Sequence, residues 1–214
     1  MGDAVMAFWG PPFTGAKEHG ALACRAALAA VERLELFREE VAAELGDEAQ
    51  GLDIDIRIGI STGDMIVGTV GSDVSKSYTV VGDPVNFGAR LEGANKAYGT
   101  HILVAAETRE QASETDLLFR EMDSLRVKGK MQPVRVCELV SSGNGIDAEA
   151  CEAFKRGVSA YRNGDWETSQ TAFNAVLAAS ADDVPSRVYI ERIAHFQRHP
   201  PPTDWNGVWV LEEK

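Results

Sequence analysis

Asn86 and Arg90 are the two residues of this 214-residue chain whose types and spacing best suit chemistry on a phosphate. They stand four apart where the sequence predicts the start of a helix, so their side chains would share one helical face. A guanidinium stays protonated near neutral pH and its planar fork matches phosphate oxygens, while a neighbouring amide can position a sugar oxygen. The pair suits a reaction in which negative charge develops on a phosphate. The spacing alone leaves open the alternative that the pair is solvated surface.

The sequence predicts two helices in the region that would position this pair. An alanine-rich run with apolar residues at three- and four-residue steps predicts a long helix over 18–45. Asp83 and Pro84 have the residue types of an N-cap and a first helical position, which predicts a second helix over 84–96. That second helix would carry both the amide and the guanidinium.

Strands account for most of the remaining apolar segments. Alternating isoleucines predict a half-buried strand over 53–60, which a turn at 62–64 would join to a partner strand over 65–69 as a hairpin. The other predicted strands cover 5–9, 78–81, 101–104, 118–127 and 133–140, with a short helix from 108 to about 115. Elements that alternate in this way predict an α/β or α+β sandwich with helices on a sheet.

Composition and charge exclude several classes of protein. Hydrophobic residues make up 44% of the chain, as in ordinary globular proteins, and no run is apolar enough to span a membrane. The net charge of -12 argues against binding to nucleic acid or to an anionic membrane. Cys24, Cys137 and Cys151 lack metal-like spacing, and two of them lie in apolar patterns typical of the core. We therefore expect a reducing compartment, the cytoplasm.

Four motifs in order resemble the class III nucleotidyl cyclases, the adenylate and guanylate cyclase catalytic domain, over about residues 1–140. They are GDAVMAFWGPP (2–12), RIGISTGDMIVGTVGS (57–72), YTVVGDPVNFGARLEGANK (78–96) and LRVKGKMQPVRVCEL (125–139). The strongest likeness is to bacterial adenylate cyclases whose sensor and membrane parts lie upstream. The resemblance implies an α+β, ferredoxin-like sandwich with helices on a mainly antiparallel sheet.

The resemblance also implies roles for individual residues in forming 3′,5′-cyclic AMP and pyrophosphate from ATP. Asn86 would orient the ribose and Arg90 would stabilise the α-phosphate in the transition state. Thr79 matches a base-selecting position at which adenylate cyclases carry Asp or Thr, so it favours ATP. Lys128 matches a lysine that contacts the terminal phosphates, with Lys130 as the alternative.

Metal ions and a second subunit complete the site that the resemblance implies. Asp3 matches one of two aspartates that bridge the metals, for which two Mg²⁺ or Mn²⁺ ions are expected. Sites of this family form between two subunits, so a homodimer is expected, with the metal carboxylates on one chain and the remaining residues on the other.

The resemblance begins in the middle of the family's domain. The family's first strand, two helices and first metal aspartate have no counterpart here, so we expect an N-terminally truncated domain that is inactive alone and whose parent is an adenylate cyclase. Membrane contact would come only through an upstream region. The alternative is a catalytically inactive cyclase-like module that dimerises or binds partners.

A change of composition marks the C-terminal part of the chain. Residues 141–147 predict a linker, and residues 148–197 predict a small all-α hairpin that partly matches a tetratricopeptide-type repeat. One repeat cannot bury its own apolar face, so it would pack on the first domain, on a third helix over 185–196, or on another protein chain. Residues 198–214 predict a proline-rich spacer and a tryptophan-containing tail docked on the protein.

Overall fold

A computed structural model describes residues 4–15, 17–72, 76–112, 116–125, 134–141 and 144–209 of the chain. Its strands are β1 (Ile58–Ile60), β2 (Ile66–Gly71), β3 (Lys76–Val81), β4 (Ile102–Ala105), β5 (Phe119–Leu125) and β6 (Val134–Leu139). Its α-helices are α1 (His19–Leu45), α2 (Asp83–Tyr98), α3 (Ala106–Gln111), α4 (Ala148–Arg162), α5 (Trp166–Ala179) and α6 (Val184–Arg198), and a 3₁₀ turn covers Gly46–Ala49.

Two sheets organise the strands. A four-stranded sheet has the order β1-β4-β6-β5, in which β1 and β4 are parallel and the other two pairs are antiparallel. The antiparallel hairpin of β2 and β3 forms a separate two-stranded sheet with Gly68 opposite Thr79. The α+β class predicted from the sequence, with helices on a mainly antiparallel sheet, is confirmed.

The four-stranded sheet is covered on both faces because its side chains alternate in direction. In β4, Ile102 and Val104 pack in a cluster with α1, whereas Leu103 and Ala105 pack in a second cluster with α2 and α4–α6. The molecule therefore has a helix layer on each side of the sheet.

The predicted hairpin between residues 53–60 and 65–69 is wrong. Only Ile58–Ile60 is a strand, and it pairs in parallel with β4, while β2 pairs with β3. The preceding segment is held by side chains instead: Arg38 Nε donates to the Ile54 carbonyl at 2.7 Å and its guanidinium contacts Asp55.

Two further local predictions need correction. Residues 4–15 contain no strand, so the strand predicted over 5–9 is wrong, and Val5 is 93% exposed. Helix α2 begins at Asp83 with Gly82 as its N-cap, one residue earlier than predicted. The long helix predicted over 18–45 is confirmed as His19–Leu45. The final strand pair is confirmed over Phe119–Leu125 and Val134–Leu139, and the predicted residues 126, 127 and 133 lie outside the described residues.

The C-terminal helices pack against the sheet through aromatic side chains. Phe154 of α4 meets Phe173 of α5 and Tyr189 of α6, with ring centroids 5.1 and 5.7 Å apart. These rings belong to the same cluster as Leu103 and Met122 of the sheet. Each helix begins at an aspartate whose carboxylate accepts a backbone N–H of the first turn: Asp147, Asp165 and Asp183. The described residues 144–209 contain no strand.

The tail after α6 docks on these helices, as predicted. The centre of the Trp205 ring lies 5.4 Å from that of Tyr161, 5.8 Å from that of Trp166 and 5.0 Å from that of Phe196. Trp209 packs on Phe196 at 5.3 Å. The tail therefore covers apolar surface that one helical repeat leaves open.

Candidate active site

Asn86 and Arg90 lie in the first half of α2, and both are exposed. Phe87 directly follows Asn86, and Leu91 directly follows Arg90. Phe87 is 4% exposed and Leu91 is 0% exposed, and both belong to the core cluster. The helix thus turns its apolar side inwards and carries the amide and the guanidinium on its solvent side. Their roles in catalysis stay predictions.

The beginning of α2 is shaped by glycines that allow close approach of a neighbouring loop. The Gly82 carbonyl accepts from the Val85 N–H at 3.1 Å and forms the first turn. A Cβ placed at Gly82 would lie 3.1 Å from the Asp64 carbonyl oxygen, and a Cβ at Gly63 would lie 2.5 Å from the Pro84 ring. Larger side chains at these positions would push the loop and the helix apart.

The middle of α2 is fixed on β1. A Cβ at Gly59 would overlap the Gly88 carbonyl oxygen and the Glu92 amide nitrogen, so the helix backbone lies directly on the strand. Arg57 Nε donates to Glu92 Oε1 at 3.0 Å beside this contact. Close backbone packing at Gly59 therefore helps to hold the helix on the sheet.

Asn95 adds a buried hydrogen-bond anchor to this packing. The residue is 0% exposed, and its Nδ2 donates to the Ile58 and Leu91 carbonyls at 3.0 Å each. Its Oδ1 accepts from Thr100 Oγ1 at 2.7 Å. An amide whose donors and acceptor are all engaged inside the protein holds α2 in one register against β1.

Thr79 lies in β3, the strand that leads through Gly82 into α2. Its side chain is half-buried, between the exposed Tyr78 and the buried Val80. The short connection ties the hydroxyl to the helix that carries Asn86 and Arg90. The Tyr78 ring contacts Phe8 at 6.3 Å, so the segment before α1 lies against this strand.

Three of the five predicted site residues are thus placed on adjoining elements: Thr79, Asn86 and Arg90. The other two, Asp3 and Lys128, lie outside the described residues, as does the alternative Lys130. Among the described residues, no three His, Cys, Asp or Glu side chains come together where they could hold a metal ion. The metal prediction rests on Asp3, by its place in the sequence motif.

Sequence reasoning missed the residues that position α2, although the sequence contains signals for two of them. Asn95 occurs in a helix at the spacing of the buried Leu91 and Tyr98, where an amide is unusual unless it bonds inside the protein. Gly59 lies between Ile58 and Ile60, on the opposite face from the alternating isoleucines, and a glycine inside a strand is typical of a place where another backbone approaches closely.

The comparison with known families identifies what kind of domain carries this arrangement. The model of the "Adenylate and Guanylate cyclase catalytic domain" family matches residues 1–138. The chain belongs to this family. Thr79, Asn86 and Arg90 therefore lie within a domain of the cyclase family.

Curated relatives of the cyclase domain include named adenylate cyclases. Adenylate cyclase 1 of Rhizobium meliloti is 38% identical over 140 residues, covering 65% of this chain and 20% of the relative. The adenylate cyclase of Anabaena cylindrica is 33% identical over 142 residues, covering 65% of this chain and 27% of the relative. The chain thus spans less than a third of these relatives.

A longer match extends into the C-terminal helices. The terminal-differentiation specific adenylate cyclase of Dictyostelium discoideum is 27% identical over 202 residues, covering 90% of this chain and 9% of the relative. Among solved structures, the adenylyl cyclase CyaB of P. aeruginosa is 29% identical with a TM-score of 0.49, covering 65% of this chain and 68% of that one.

The described helices of the cyclase chain include none with the length and apolar character that a membrane span requires. The three cysteines are free and buried, so the burial predicted for two of them from apolar patterns is confirmed. Burial raises the pKa of the Cys137 and Cys151 thiols to about 11 and that of Cys24 to about 12.

Proposed function

We propose that the protein is an adenylate cyclase, which converts ATP into 3′,5′-cyclic AMP and pyrophosphate. In this reaction the ribose 3′-oxygen forms a bond to the α-phosphorus while the bond from that phosphorus to the bridging oxygen of the β-phosphate breaks. The 3′-hydroxyl proton is released, and pyrophosphate leaves. The observation that carries the proposal is the pairing of Asn86 and Arg90 on the exposed side of a helix whose other side is fixed in the core.

Arg90 acts on the charge that develops around the α-phosphorus. Its permanently charged guanidinium donates to phosphate oxygens, and Asn86 holds the ribose so that the 3′-oxygen faces the phosphorus. Because Gly59 and Asn95 fix α2 on β1, neither side chain has to be repositioned by a moving helix. Preorganised donors of this kind stabilise a transition state at little reorganisation cost.

Thr79 selects the base in this proposal. Its half-buried hydroxyl, on the strand that runs into α2, donates to or accepts from the edge of adenine. Lys128, with Lys130 as the alternative, contacts the terminal phosphates. Its assignment rests on the sequence motif, since both lysines lie outside the described residues.

Divalent cations are proposed as cofactors because the chain belongs to the cyclase family. Mg²⁺ or Mn²⁺ would neutralise the triphosphate and activate the attacking oxygen. Asp3 is the proposed ligand from this chain, by its place in the sequence motif.

A second copy of the chain is the proposed partner that completes the site. Large apolar side chains lie exposed on the β2–β3 hairpin, with Ile66 77% and Tyr78 64% exposed, and Val70 and Val81 each 53% exposed. A hairpin with this much apolar surface is typical of an interface. We place the activity in the cytoplasm, where ATP is available and free thiols such as the three buried cysteines persist.

The test is to incubate the full-length gene product with ATP or GTP and Mn²⁺, and to separate the products by chromatography. The proposal predicts cyclic AMP and pyrophosphate in equal amounts from ATP. It also predicts that Thr79→Val lowers kcat/KM for ATP by about tenfold, the loss expected for one hydrogen bond to the base. Absence of cyclic nucleotide would favour the non-catalytic module, and a preference for GTP would contradict the role of Thr79.

A further inference from the structure

The C-terminal end of α2 is held by a buried polar cluster that reaches into α6. Tyr98, the last residue of α2, donates from Oη to Asp123 Oδ2 at 2.7 Å. Arg192 of α6 donates from Nη1 to the same oxygen at 3.0 Å. The three residues are 0%, 2% and 5% exposed, so one carboxylate oxygen joins α2, β5 and α6 inside the core.

Aromatic contacts fix the guanidinium of Arg192 in this cluster. It lies 5.0 Å from the centre of the Tyr98 ring and 5.1 Å from that of Tyr189, within the range of cation–π attraction. Tyr189 Oη donates to the Met122 carbonyl at 2.6 Å, next to Asp123 in β5. Helix α6 is thereby tied to β5 by two neighbouring hydrogen bonds.

The chain that leaves α2 also meets the start of α6. Gly99 has a left-handed backbone with φ 66° and closes the helix by donating to the Asn95 carbonyl. A Cβ at Gly99 would overlap the side chain of Val184, the first residue of α6. The end of one helix and the beginning of the other are therefore in direct contact.

These contacts act on the same rigid element that carries the candidate site. Arg90 precedes Tyr98 by eight residues, a distance of about 12 Å along a helix with a rise of 1.5 Å per residue. The anchors at Asn95 and Tyr98 both lie C-terminal to Asn86 and Arg90. A small tilt of the helix at its anchored end is therefore transmitted to the two side chains near its beginning.

We propose that Tyr98, Asp123 and Arg192 are positioning residues, through which the C-terminal helices set the placement of α2 and hence of Asn86 and Arg90. The proposal rests on the proposed cyclase function for its effect on turnover. It assigns the helices after residue 144 a part in catalysis at a distance from the reacting atoms. Mispositioned groups lower the rate of the chemical step more than they weaken substrate binding.

The test compares two α6 variants, Arg192→Met and Arg187→Met. Arg187 is a matched control because it lies on the same helix in an exposed ion pair with Asp182. Hydrogen exchange, and kcat and KM for ATP, are measured on the same full-length gene product. Relative to the wild type, we expect Arg192→Met to speed the exchange of α2 amides at least tenfold more than that of β4 and β6 amides. We expect kcat to be about tenfold lower and KM to stay within twofold of the wild-type value.

Two further variants separate positioning from loss of folding. Tyr98→Phe removes one hydroxyl and should change the exchange of α2 amides and kcat in the same directions, by about one third as much. This milder variant keeps the proposal testable if Arg192→Met does not fold. Arg192→Lys, which keeps the charge, should restore part of kcat. Arg187→Met should match the wild type in every measurement.

The outcomes separate this proposal from the proposed function. Uniformly faster exchange in all elements, or unchanged kcat in folded Arg192→Met and Tyr98→Phe, would overturn the positioning role while leaving the cyclase assignment intact. Absence of cyclic AMP from the wild type would overturn the proposed function and the effect on turnover. Exchange confined to α2 would still show that the cluster holds this helix.

Discussion

Arg90 and Arg120 show how surroundings decide what one type of side chain does. Arg90 is exposed on α2, where a guanidinium can meet an anionic ligand. Arg120 is 1% exposed, and its guanidinium donates to Glu138 and, at 2.6 Å, to Asp183. A buried arginine between two carboxylates serves the structure, whereas an exposed arginine on a helix can be reached by a dissolved ligand.

The cysteines give a prediction at the scale of single residues. Their raised pKa values mean that the folded protein keeps its thiols neutral at pH 8, so Ellman's reagent should not react with the native chain within minutes. In urea all three thiols should react. Rapid native reaction of even one thiol would contradict their burial.

The same shifts set the sign of a pH dependence. Below about pH 7.5, one unit under the pKa of an unfolded thiol, the thiols are neutral in both states and contribute almost no slope. Above it the unfolded thiols ionise while the folded ones stay neutral up to about pH 11. The free energy of unfolding should therefore fall by up to about 1.4 kcal/mol per pH unit for each thiol. Urea titrations of the wild type and of a triple variant check this. The variant combines Cys24→Ala, Cys137→Ala and Cys151→Ala, and its free energy of unfolding should depend less steeply on pH.

At the scale of elements, the contact between α2 and β1 determines where the candidate site lies. Gly59→Ala places a methyl group against the helix backbone and should destabilise the protein by about 1–3 kcal/mol. The matched control is Gly93→Ala in α2, where a Cβ meets no heavy atom within 4 Å outside its own helix. It should stabilise the protein by about 0.5–1 kcal/mol.

Urea denaturation of the two alanine variants measures both effects. Cyclic AMP formation by the full-length gene product should fall in Gly59→Ala and stay unchanged in Gly93→Ala. Equal stability of the two variants would show that α2 does not lie on β1 as closely as described.

The element scale also shows which features could be predicted from the sequence. Helix α2 and the shared face of Asn86 and Arg90 follow from local spacing, because helical neighbours are set by the chain itself. The partner of β2 could not be inferred in this way. A turn at 62–64 suggested pairing with the preceding strand, but β2 pairs with β3, and β1 joins β4 through residues more than forty positions away. Such pairings depend on tertiary packing.

At the scale of the whole molecule, the C-terminal helices and the sheet share one core. Arg120 joins Glu138 of β6 and Asp183 at the start of α6, positions that are 18 and 63 residues away in sequence. No local pattern predicts such a cluster, because its members are ordinary charged residues in the sequence. The predicted division into 1–140, 141–147, 148–197 and 198–214 stays a prediction, and the polar clusters connect its first and third parts.

Arg120→Met tests this connection. The substitution leaves two carboxylates buried without their guanidinium and should lower the free energy of unfolding by about 3–5 kcal/mol. Arg25→Met removes an exposed ion pair with Asp116 and should change it by less than about 1 kcal/mol. Urea denaturation provides both values. Similar losses for the two variants would contradict a buried link between the sheet and α6.

The central claim, that α2 presents Arg90 to the α-phosphate of ATP, is tested most directly by the turnover of Arg90→Ala in the full-length gene product. Lys96→Ala is the matched control, because Lys96 is also an exposed cation of α2 but points to a different side of the helix. Loss of a transition-state donor predicts a kcat for cyclic AMP formation about 10²–10³-fold lower in Arg90→Ala, with a much smaller change in ATP binding. Lys96→Ala should keep wild-type turnover. Equal turnover in Arg90→Ala and the wild type would contradict the account.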